Sequence, residues 1–506
     1  QGNLGLDLEV PGVEGLTLRG NAAYDQEFRY DKSWRTPWTL YTWDYTTRDE
    51  NGDPVLTPGQ RGYSEPQLNQ YDYRENDILL NLISEFRREF GDHSLGALVG
   101  VERQTFENSN ISAFRRYFVS DQLDQLFAGG EDERDNNGSA GIGARQNYFG
   151  RFNYDYQDKY LLELVGRYDG SYIFPEDKRF GFFPAVSVGW RISEEPFFQN
   201  SLPVFNDLKI RSSWGQTGND RINEWQYLAS YGFGGGYVFG VDNDLKSIYQ
   251  SRTPNPNVTW EVANQFDVGL EGALLDNRLS FVVDYFNNRR NEILQYRNAS
   301  VPQTTGLSLP RENIGRVASW GWDGSIGWFQ QFTEDASLDI TFNGSYSQNK
   351  ILFWDEAPGA PEWQRSTGRR MFTGLFYNAI GVFEDEAAVE AYPHWPGARP
   401  GDIIFEDVND DGQITADDRI RVNKNGDPTF VGGLTFGGDL GAFDATLFFQ
   451  AATGGTDIEA GSGGVVLNMV TKRGANEWRI VWGDGTGTAW SCDFSDPTLE
   501  SSHSVR

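Results

Sequence analysis

The chain has 506 residues, of which 38% are hydrophobic and 15% aromatic, and its formal net charge at pH 7 is −30. That charge repels phosphate and argues against nucleic acid as a partner, and a single cysteine, Cys492, excludes an internal disulfide framework. No run reaches the roughly 18 apolar residues of a membrane helix, which rules out helical spans but leaves a transmembrane β-barrel open.

Alternation of apolar and polar residues dominates the chain and predicts amphipathic β-strands. After a first tight turn near Glu14, the pattern is clear in residues 144–156, where Phe152 lies on an aromatic face and Arg151 on a polar face. Phe149 interrupts the alternation. The segment predicts one strand of a hairpin.

A turn at Gln157–Asp158 leads into the second strand, where Leu164 faces one way and Glu163 and Arg167 the other. The same alternation returns on both sides of a turn at Leu275–Arg278. Further tight turns are predicted around Asp335 and Asp439–Ala442. Each turn joins two strands of about ten residues, the length that crosses a bilayer when tilted.

Long polar segments separate these hairpins. They are residues 108–142, 219–260, 292–312, 352–370 and 385–428. Short turns at one end and long loops at the other are typical of an outer-membrane barrel. Short turns stay on one side of the membrane and long loops on the other only if Met371–Phe383 does not cross the bilayer as a strand. We therefore expect that segment within the loop region.

The charged face indicates how wide the barrel is. Arg145, Arg151, Glu163 and Arg167 would be costly in a dry core but not in a water-filled lumen. A barrel of about 22 strands encloses such a lumen, whereas one of 8 strands is filled by side chains. The prediction is therefore an all-β fold, part of a large transmembrane antiparallel β-barrel. A large soluble β-protein with aromatic residues in its core is the alternative.

The stretch DVNDDGQITADD has the spacing of a calcium-binding loop. Its predicted ligands are Asp407, Asn409, Asp411, Gln413 and Asp418. The flanking segments read as extended, so a paired helical calcium sensor is not expected. We predict a structural calcium site that stiffens a long loop, and an acidic turn without an ion is the alternative.

Other polar features give little indication of catalysis. His93, His394 and His503 have neither metal nor triad spacing, so we do not expect an enzyme. Rings in the long loops could stack on a ligand, or could pack on neighbouring loops instead. The candidate ligand-binding residues are Trp225, Tyr227, Trp354, Trp363 and Trp395.

Five sequence segments are more specific than the alternation of apolar and polar residues. They are RYDGSYIFPEDKRFGFFPAVSVGWRISEEPFF, LKIRSSWGQTGND, PNPNVTWEVANQFDVGLEGALLDNRLSFVVDYF, ENIGRVASWGWDGSIG and PGDIIFEDVNDDGQITADDRI. In this order they resemble the barrel of SusC/RagA-type TonB-linked outer-membrane proteins (TonB-dependent receptors). The resemblance runs from about residue 1 to 453.

This resemblance implies a location in the outer membrane of a Gram-negative, Bacteroidetes-like cell. It also implies import of oligosaccharides or peptides, energised through TonB, beneath a SusD-like surface lipoprotein that acts as a lid. The family's plug domain, TonB box and early strands have no counterpart in these residues, so we expect the barrel portion of a longer protein. Residues 454–506 lose the alternation and are expected to be irregular or truncated. Two other functions remain open: a passive porin or adhesin on the same barrel, and a soluble secreted carbohydrate-binding β-protein.

Overall fold

The structure, a computed structural model, describes residues 1–238, 244–297, 309–455, 463–471 and 478–482. These residues form twenty-four strands and two short α-helices, and sixteen of the strands belong to the main sheet. None of the helices in the described ranges is long and apolar enough to span a membrane. Cys492 and His503 lie outside the described residues.

The chain divides into two compact units. The first comprises residues 1–90, 95–152 and 165–182, and the second comprises residues 91–94, 153–164 and 183–506. The strands that begin in the N-terminal third are β1 (Gly2–Glu9), β2 (Leu16–Arg35), β3 (Trp38–Thr42), β4 (Thr57–Arg61), β5 (Gln67–Phe90), β6 (His93–Arg116), β7 (Asp135–Tyr156) and β8 (Tyr160–Ser171).

In the first unit, β2 pairs with β1 on one side and β5 on the other, both antiparallel. The predicted turn near Glu14 joins β1 to β2. Leu4, Leu6 and Leu8 alternate along β1 and all three are largely exposed. A short hairpin of β3 and β4 leaves the sheet between β2 and β5.

The second unit contains the remaining elements. They are β9 (Phe180–Arg191), α1 (Pro196–Ser201), β10 (Phe205–Asn219), β11 (Ser230–Val238), β12 (Asp244–Arg252), β13 (Glu261–Leu274), β14 (Leu279–Tyr296), β15 (Arg311–Thr333), β16 (Ala336–Phe353), β17 (Leu375–Phe376), β18 (Ala379–Val382), α2 (Glu386–Ala391), β19 (Ile403–Phe405), β20 (Ile420–Arg421), β21 (Phe430–Leu440), β22 (Phe443–Thr453), β23 (Gly463–Thr471) and β24 (Trp478–Trp482).

Consecutive main-sheet strands of this unit pair antiparallel, from β9 and β10 through β13–β16 to β21–β24. The turns predicted at Gln157–Asp158, Leu275–Arg278, Asp335 and Asp439–Ala442 are all confirmed. Backbone in the left-handed region at residues 157 and 158 is the conformation that a tight hairpin turn requires.

The predicted strand length of about ten residues is wrong for many strands. β5 and β6 each have 24 residues, and β15 has 23. The backbone hydrogen-bond ladder continues because polar residues beyond the apolar stretch still pair their backbones. As a result, β6 and β7 extend into the predicted 108–142 loop, and only residues 117–134 connect the two strands.

Two segments whose place the sequence left open are located by the strand order. Met371–Phe383 contributes β17 and β18, which pair with β20 and β19 in small two-stranded sheets outside the main sheet. Within residues 454–506, where irregular chain was expected, β23 and β24 belong to the main sheet instead.

Apolar and charged residues of the second unit occupy opposite faces. Ile210, Leu270 and Val283 lie opposite one another across three strands, and all are partly exposed although apolar. Leu164 on β8 is 43% exposed. Because successive side chains in a strand alternate between faces, the charged residues at the intervening positions share the other face. The sheet therefore has an apolar face and a polar face.

Candidate functional site

An ion-pair cluster lies on the polar face of β10, β13 and β14. Arg211 contacts Asp267 at 3.1 Å, Asp284 at 2.7 Å and Glu271 at 3.6 Å, and Lys209 contacts Glu271 at 2.6 Å. Three carboxylates thus share two cations across three strands. Such a network is stable where water or hydrogen bonds satisfy the remaining polar atoms, as on a wet surface.

Gly269 makes room for this cluster. A β-carbon at this position would lie 2.1 Å from Asp284 Oδ1 and 2.7 Å from Arg211 Cζ. Gly269 pairs directly with Arg211 on one side and Asp284 on the other. A side chain here would therefore displace the contact between Arg211 and Asp284.

The interruption of the alternation by Phe149 has a structural reason. The ring lies on the same face as Arg151, and the guanidinium of Arg167 sits 5.4 Å from its centroid. A β-carbon at Gly100 would lie 2.4 Å from the ring. The aromatic ring thus covers a glycine on the polar face and offers its π-surface to a cation.

The connection between β16 and β21 (residues 354–429) folds as a small module with its own interior. Phe383, Val389 and Ile414 are buried in it. Asp385 caps α2 by accepting a hydrogen bond from the amide of Ala388 at 2.8 Å. This loop module contains the predicted calcium loop and three of the predicted ligand-binding tryptophans.

The oxygens of the predicted calcium loop accept hydrogen bonds from the loop's own backbone. Asp418 is fully buried, and its carboxylate accepts from the amides of Val408 at 3.0 Å and Thr415 at 2.7 Å. Asp407 accepts from Gly412 at 2.8 Å, and Asp411 accepts from Gln413 at 2.8 Å. The acidic residues therefore hold the turn together in the manner of helix and turn caps.

Calcium coordination requires these same oxygens to converge on one point. Within the described residues, no three or more histidine, cysteine, aspartate or glutamate side chains are arranged to hold a metal ion. The twelfth-position ligand, Asp418, has both oxygens engaged by backbone amides. The calcium site stays a prediction.

Two of the predicted ligand-binding rings are anchored to this loop. The indole N–H of Trp363 donates to the carbonyl of Asp417 at 2.9 Å, and that of Trp395 donates to the carbonyl of Ile414 at 2.9 Å. The Trp395 ring also packs against Phe405 at a centroid distance of 4.8 Å. These contacts support the packing alternative for both rings.

The other predicted rings lie elsewhere in the second unit. Trp354 follows β16, and its ring is exposed. Trp225 and Tyr227 are close to each other, with centroids 6.1 Å apart, between β10 and β11. Trp225 adopts a left-handed backbone with φ of 57°, and its carbonyl accepts from Arg252 at 2.9 Å. The predicted rings thus form two separate groups along the loops, and their binding role stays a prediction.

In the first unit, the tip of the β3–β4 hairpin is ordered by Asp44. Its carboxylate accepts from the hydroxyl of Thr47 at 2.6 Å and from the amides of Thr46 and Thr47. These hydrogen bonds, that of the Thr47 hydroxyl foremost, hold the pKa of Asp44 well below its usual range. The turn therefore favours the ionised form of Asp44.

Sequence reasoning missed the ion-pair cluster of Arg211. The alternation in LKIRSS and QFDVGLEG places each charge on the polar face, but it gives no indication of which strands are neighbours. Only the strand register brings Arg211 next to Asp267 and Asp284, which lie 56 and 73 positions further along the chain.

Comparison with known proteins identifies the family of this chain. The family model described as TonB dependent receptor-like, beta-barrel, matches residues 5–398. The chain belongs to this family. As a member it is an outer-membrane protein, and this excludes the soluble secreted alternative. The family is one of receptors and transporters.

Named relatives agree with the family. TonB-dependent receptor P3 of Formosa agariphila is 31% identical over 417 residues, which are 78% of this chain and 41% of that protein. TonB-dependent receptor SusC of Bacteroides thetaiotaomicron is 24% identical over 393 residues, which are 76% of this chain and 38% of that protein. The chain thus spans about two fifths of the length of these relatives.

A solved structure shows the same fold. The RagAB peptide importer in its closed-closed state superposes with a TM-score of 0.70 at 22% identity. The match covers 90% of this chain and 47% of the matched chain. The architecture of the described residues is therefore that of part of a large outer-membrane barrel.

Proposed function

We propose that the full-length protein imports a nutrient, an oligosaccharide or a peptide, across the outer membrane with energy supplied through TonB. The observation that carries this proposal is the separation of the sheet into an apolar face and an ionic face. Leu270 and Phe266 on one face suit lipid, whereas Arg211 and its carboxylates on the other suit a hydrated lumen.

The names of related proteins support this reading. The relatives in Formosa agariphila and Bacteroides thetaiotaomicron are named as TonB-dependent receptors, and the superposed complex is a peptide importer. A plug and TonB-contacting segment would come from the part of the protein that lies outside this chain.

A SusD-like surface lipoprotein is the proposed partner on the side of the long loops. The β11–β12 hairpin stands outside the main sheet and exposes Tyr231, Phe233 and Ile248. Phe233 lies directly opposite Ile248, so these side chains share one face of the hairpin. Exposed apolar groups on a non-membrane segment are typical of a protein-binding surface.

Uptake by whole cells tests the proposal. A strain lacking the gene should fail to accumulate a labelled oligosaccharide or peptide pool that the parent strain takes up, and the full-length gene should restore accumulation. Deleting TonB, or collapsing the proton-motive force, should abolish the uptake.

The same experiment separates the importer from its rival. A passive porin would continue to admit small labelled ligands after the proton-motive force is lost. An adhesin would show no uptake difference between the two strains while surface binding changed. Either result would contradict energised import.

A further inference from the structure

A nearly buried arginine in the loop module has no partner for its charge among the described residues. Arg370 is 7% exposed, and its side chain forms no hydrogen bond or ion pair with any described residue. Its Nε is fully buried and lacks an acceptor. A guanidinium N–H removed from water is costly unless an acceptor replaces the lost hydration. The Nε–H of Arg370 therefore lacks the acceptor that would offset its burial.

Three asparagine side chains fix the backbone around it. Asn423 accepts from the amide of Arg370 at 2.8 Å, and Asn349 accepts from the amide of Met371 at 2.7 Å. Asn425 donates to the carbonyl of Met371 at 3.1 Å, and its own Oδ1 is buried without a partner. The position of Arg370 is thus defined by side chains from two other segments.

Phe372, two residues after Arg370, is held in an unfavourable backbone conformation. Phe372 has φ of 58°, and its ring is 85% exposed. Bulky residues seldom adopt this backbone region, and such conformations persist only where the surrounding structure enforces them. The turn therefore displays a ring to solvent beside a cation that forms no ion pair within the described ranges.

Other basic residues gather at the same turn. Arg369 precedes Arg370, Lys424 lies between the two asparagines that hold the turn, and a β-carbon at Gly368 would lie 4.0 Å from Lys350 Cε. Gly368 and Arg369 pair with Ile351 through backbone hydrogen bonds of 2.8 Å, which brings Lys350 alongside. In the part of the chain that the structure describes, none of these cations forms an ion pair, although the chain has 73 acidic residues and a net charge of −30.

We propose that this basic turn, residues 368–373 with Lys350 and Lys424, binds a carboxylate of the imported ligand through Arg370. A planar guanidinium matches the two oxygens of a carboxylate, and the exposed Phe372 ring can cover the apolar part of the same ligand. The inference rests on the proposed import function and narrows it to acidic ligands. The carboxylate belongs to a peptide C-terminus or to a uronic acid.

The test is a competition for binding to the detergent-solubilised full-length receptor. One pool holds tryptic peptides, half of them methyl-esterified with an isotopic label, and a second pool holds uronic-acid oligosaccharides treated in the same way. Mass spectrometry of the bound fraction gives the ratio of free acid to ester. We expect the wild-type receptor to enrich the free acid of one pool by about tenfold or more. The pool that shows enrichment identifies the source of the carboxylate.

The variant Arg370→Gln should bring that ratio close to one. Arg399→Gln is the matched control, because Arg399 is exposed in the same loop module and the substitution removes the same charge. Lys424→Gln, at an exposed position, should lower the ratio partially and covers the case in which Arg370→Gln fails to fold.

Several outcomes overturn the inference. They are equal binding of acid and ester in both pools, an unchanged ratio in both Arg370→Gln and Lys424→Gln, and an equal effect of Arg399→Gln. Retention of neutral oligosaccharides with exclusion of both acid pools overturns this inference but not import. A receptor that retains nothing from any pool contradicts the proposed function as well.

Discussion

Replacing Asp418 separates the two roles that the acidic loop could have. In Asp418→Asn the side chain keeps its volume but loses its charge. One of the two carboxylate oxygens becomes an NH₂ group, which cannot accept a hydrogen bond from the backbone N–H of Thr415 or Val408 that it faces. The structure shows charge-assisted hydrogen bonds of 2.7 and 3.0 Å to these donors. Each such bond contributes about 1.5–3 kcal/mol, so we expect local opening of the loop to become about 2–4 kcal/mol easier.

Hydrogen–deuterium exchange measures this opening. Backbone amides of residues 403–422 should exchange about thirtyfold to several hundredfold faster in the variant, since each 1.4 kcal/mol changes an equilibrium constant tenfold. Asp417→Asn is the matched control. Its side chain is exposed one residue away, while its backbone carbonyl accepts from Trp363 and Gln364 and its amide donates to the hydroxyl of Thr415.

Calcium supplies the second arm of the measurement. If the loop is held by amide caps, millimolar calcium should leave exchange in the wild-type protein unchanged, and EDTA should have no effect. Protection that appears with calcium and disappears with EDTA would establish the predicted cation site instead. Equal exchange in Asp418→Asn and Asp417→Asn would refute the assignment of Asp418 as the residue that caps the turn.

Three further predictions concern other parts of the second unit. Leu164→Arg places a charge on the apolar face and should cost about 2–4 kcal/mol if the position lies near the bilayer centre; urea unfolding in lipid vesicles measures this, and an unchanged midpoint would place that face away from lipid. Gly269→Val should break the contact between Arg211 and Asp284 and reduce the heat-modifiable folded form on gels, whereas full folding would show that the cluster can rearrange. Trp363→Phe keeps a ring but loses one hydrogen bond, which contributes about 1 kcal/mol. Hydrogen–deuterium exchange at residues 414–418 should therefore rise while ligand affinity stays constant. Lost affinity with unchanged exchange would show a binding role.

Local pattern was sufficient for much of the sheet. Alternation has a period of two because successive side chains in a strand point to opposite faces. Residues such as Phe152 and Arg151 could therefore be assigned to faces without coordinates. The polar pair Gln157–Asp158 between two alternating segments located a hairpin turn, and the structure holds both residues in the left-handed region. Strand length was not predictable in the same way, because a polar strand extension differs little from a polar loop in sequence.

The candidate site was predicted less well, since its contacts join distant parts of the chain. The sequence marked the acidic loop, but cation binding and backbone capping use the same residue types at the same spacing. Trp363 reaches the carbonyl of a residue 54 positions away, and Asn423 holds an amide 53 positions away. No periodicity encodes such contacts.

The amino-acid sequence by itself determined the all-β class, the two faces of the strands, the positions of the turns and the family. Those properties depend on neighbouring residues and on ordered motifs, both of which can be read along the chain. Only the tertiary structure decided that Arg211 joins three carboxylates, that Asp418 caps its own loop and that Arg370 forms no ion pair with any residue that the structure describes. Electrostatic and hydrogen-bond partners depend on which segments the fold brings within about 3 Å, and that distance has no counterpart in sequence order.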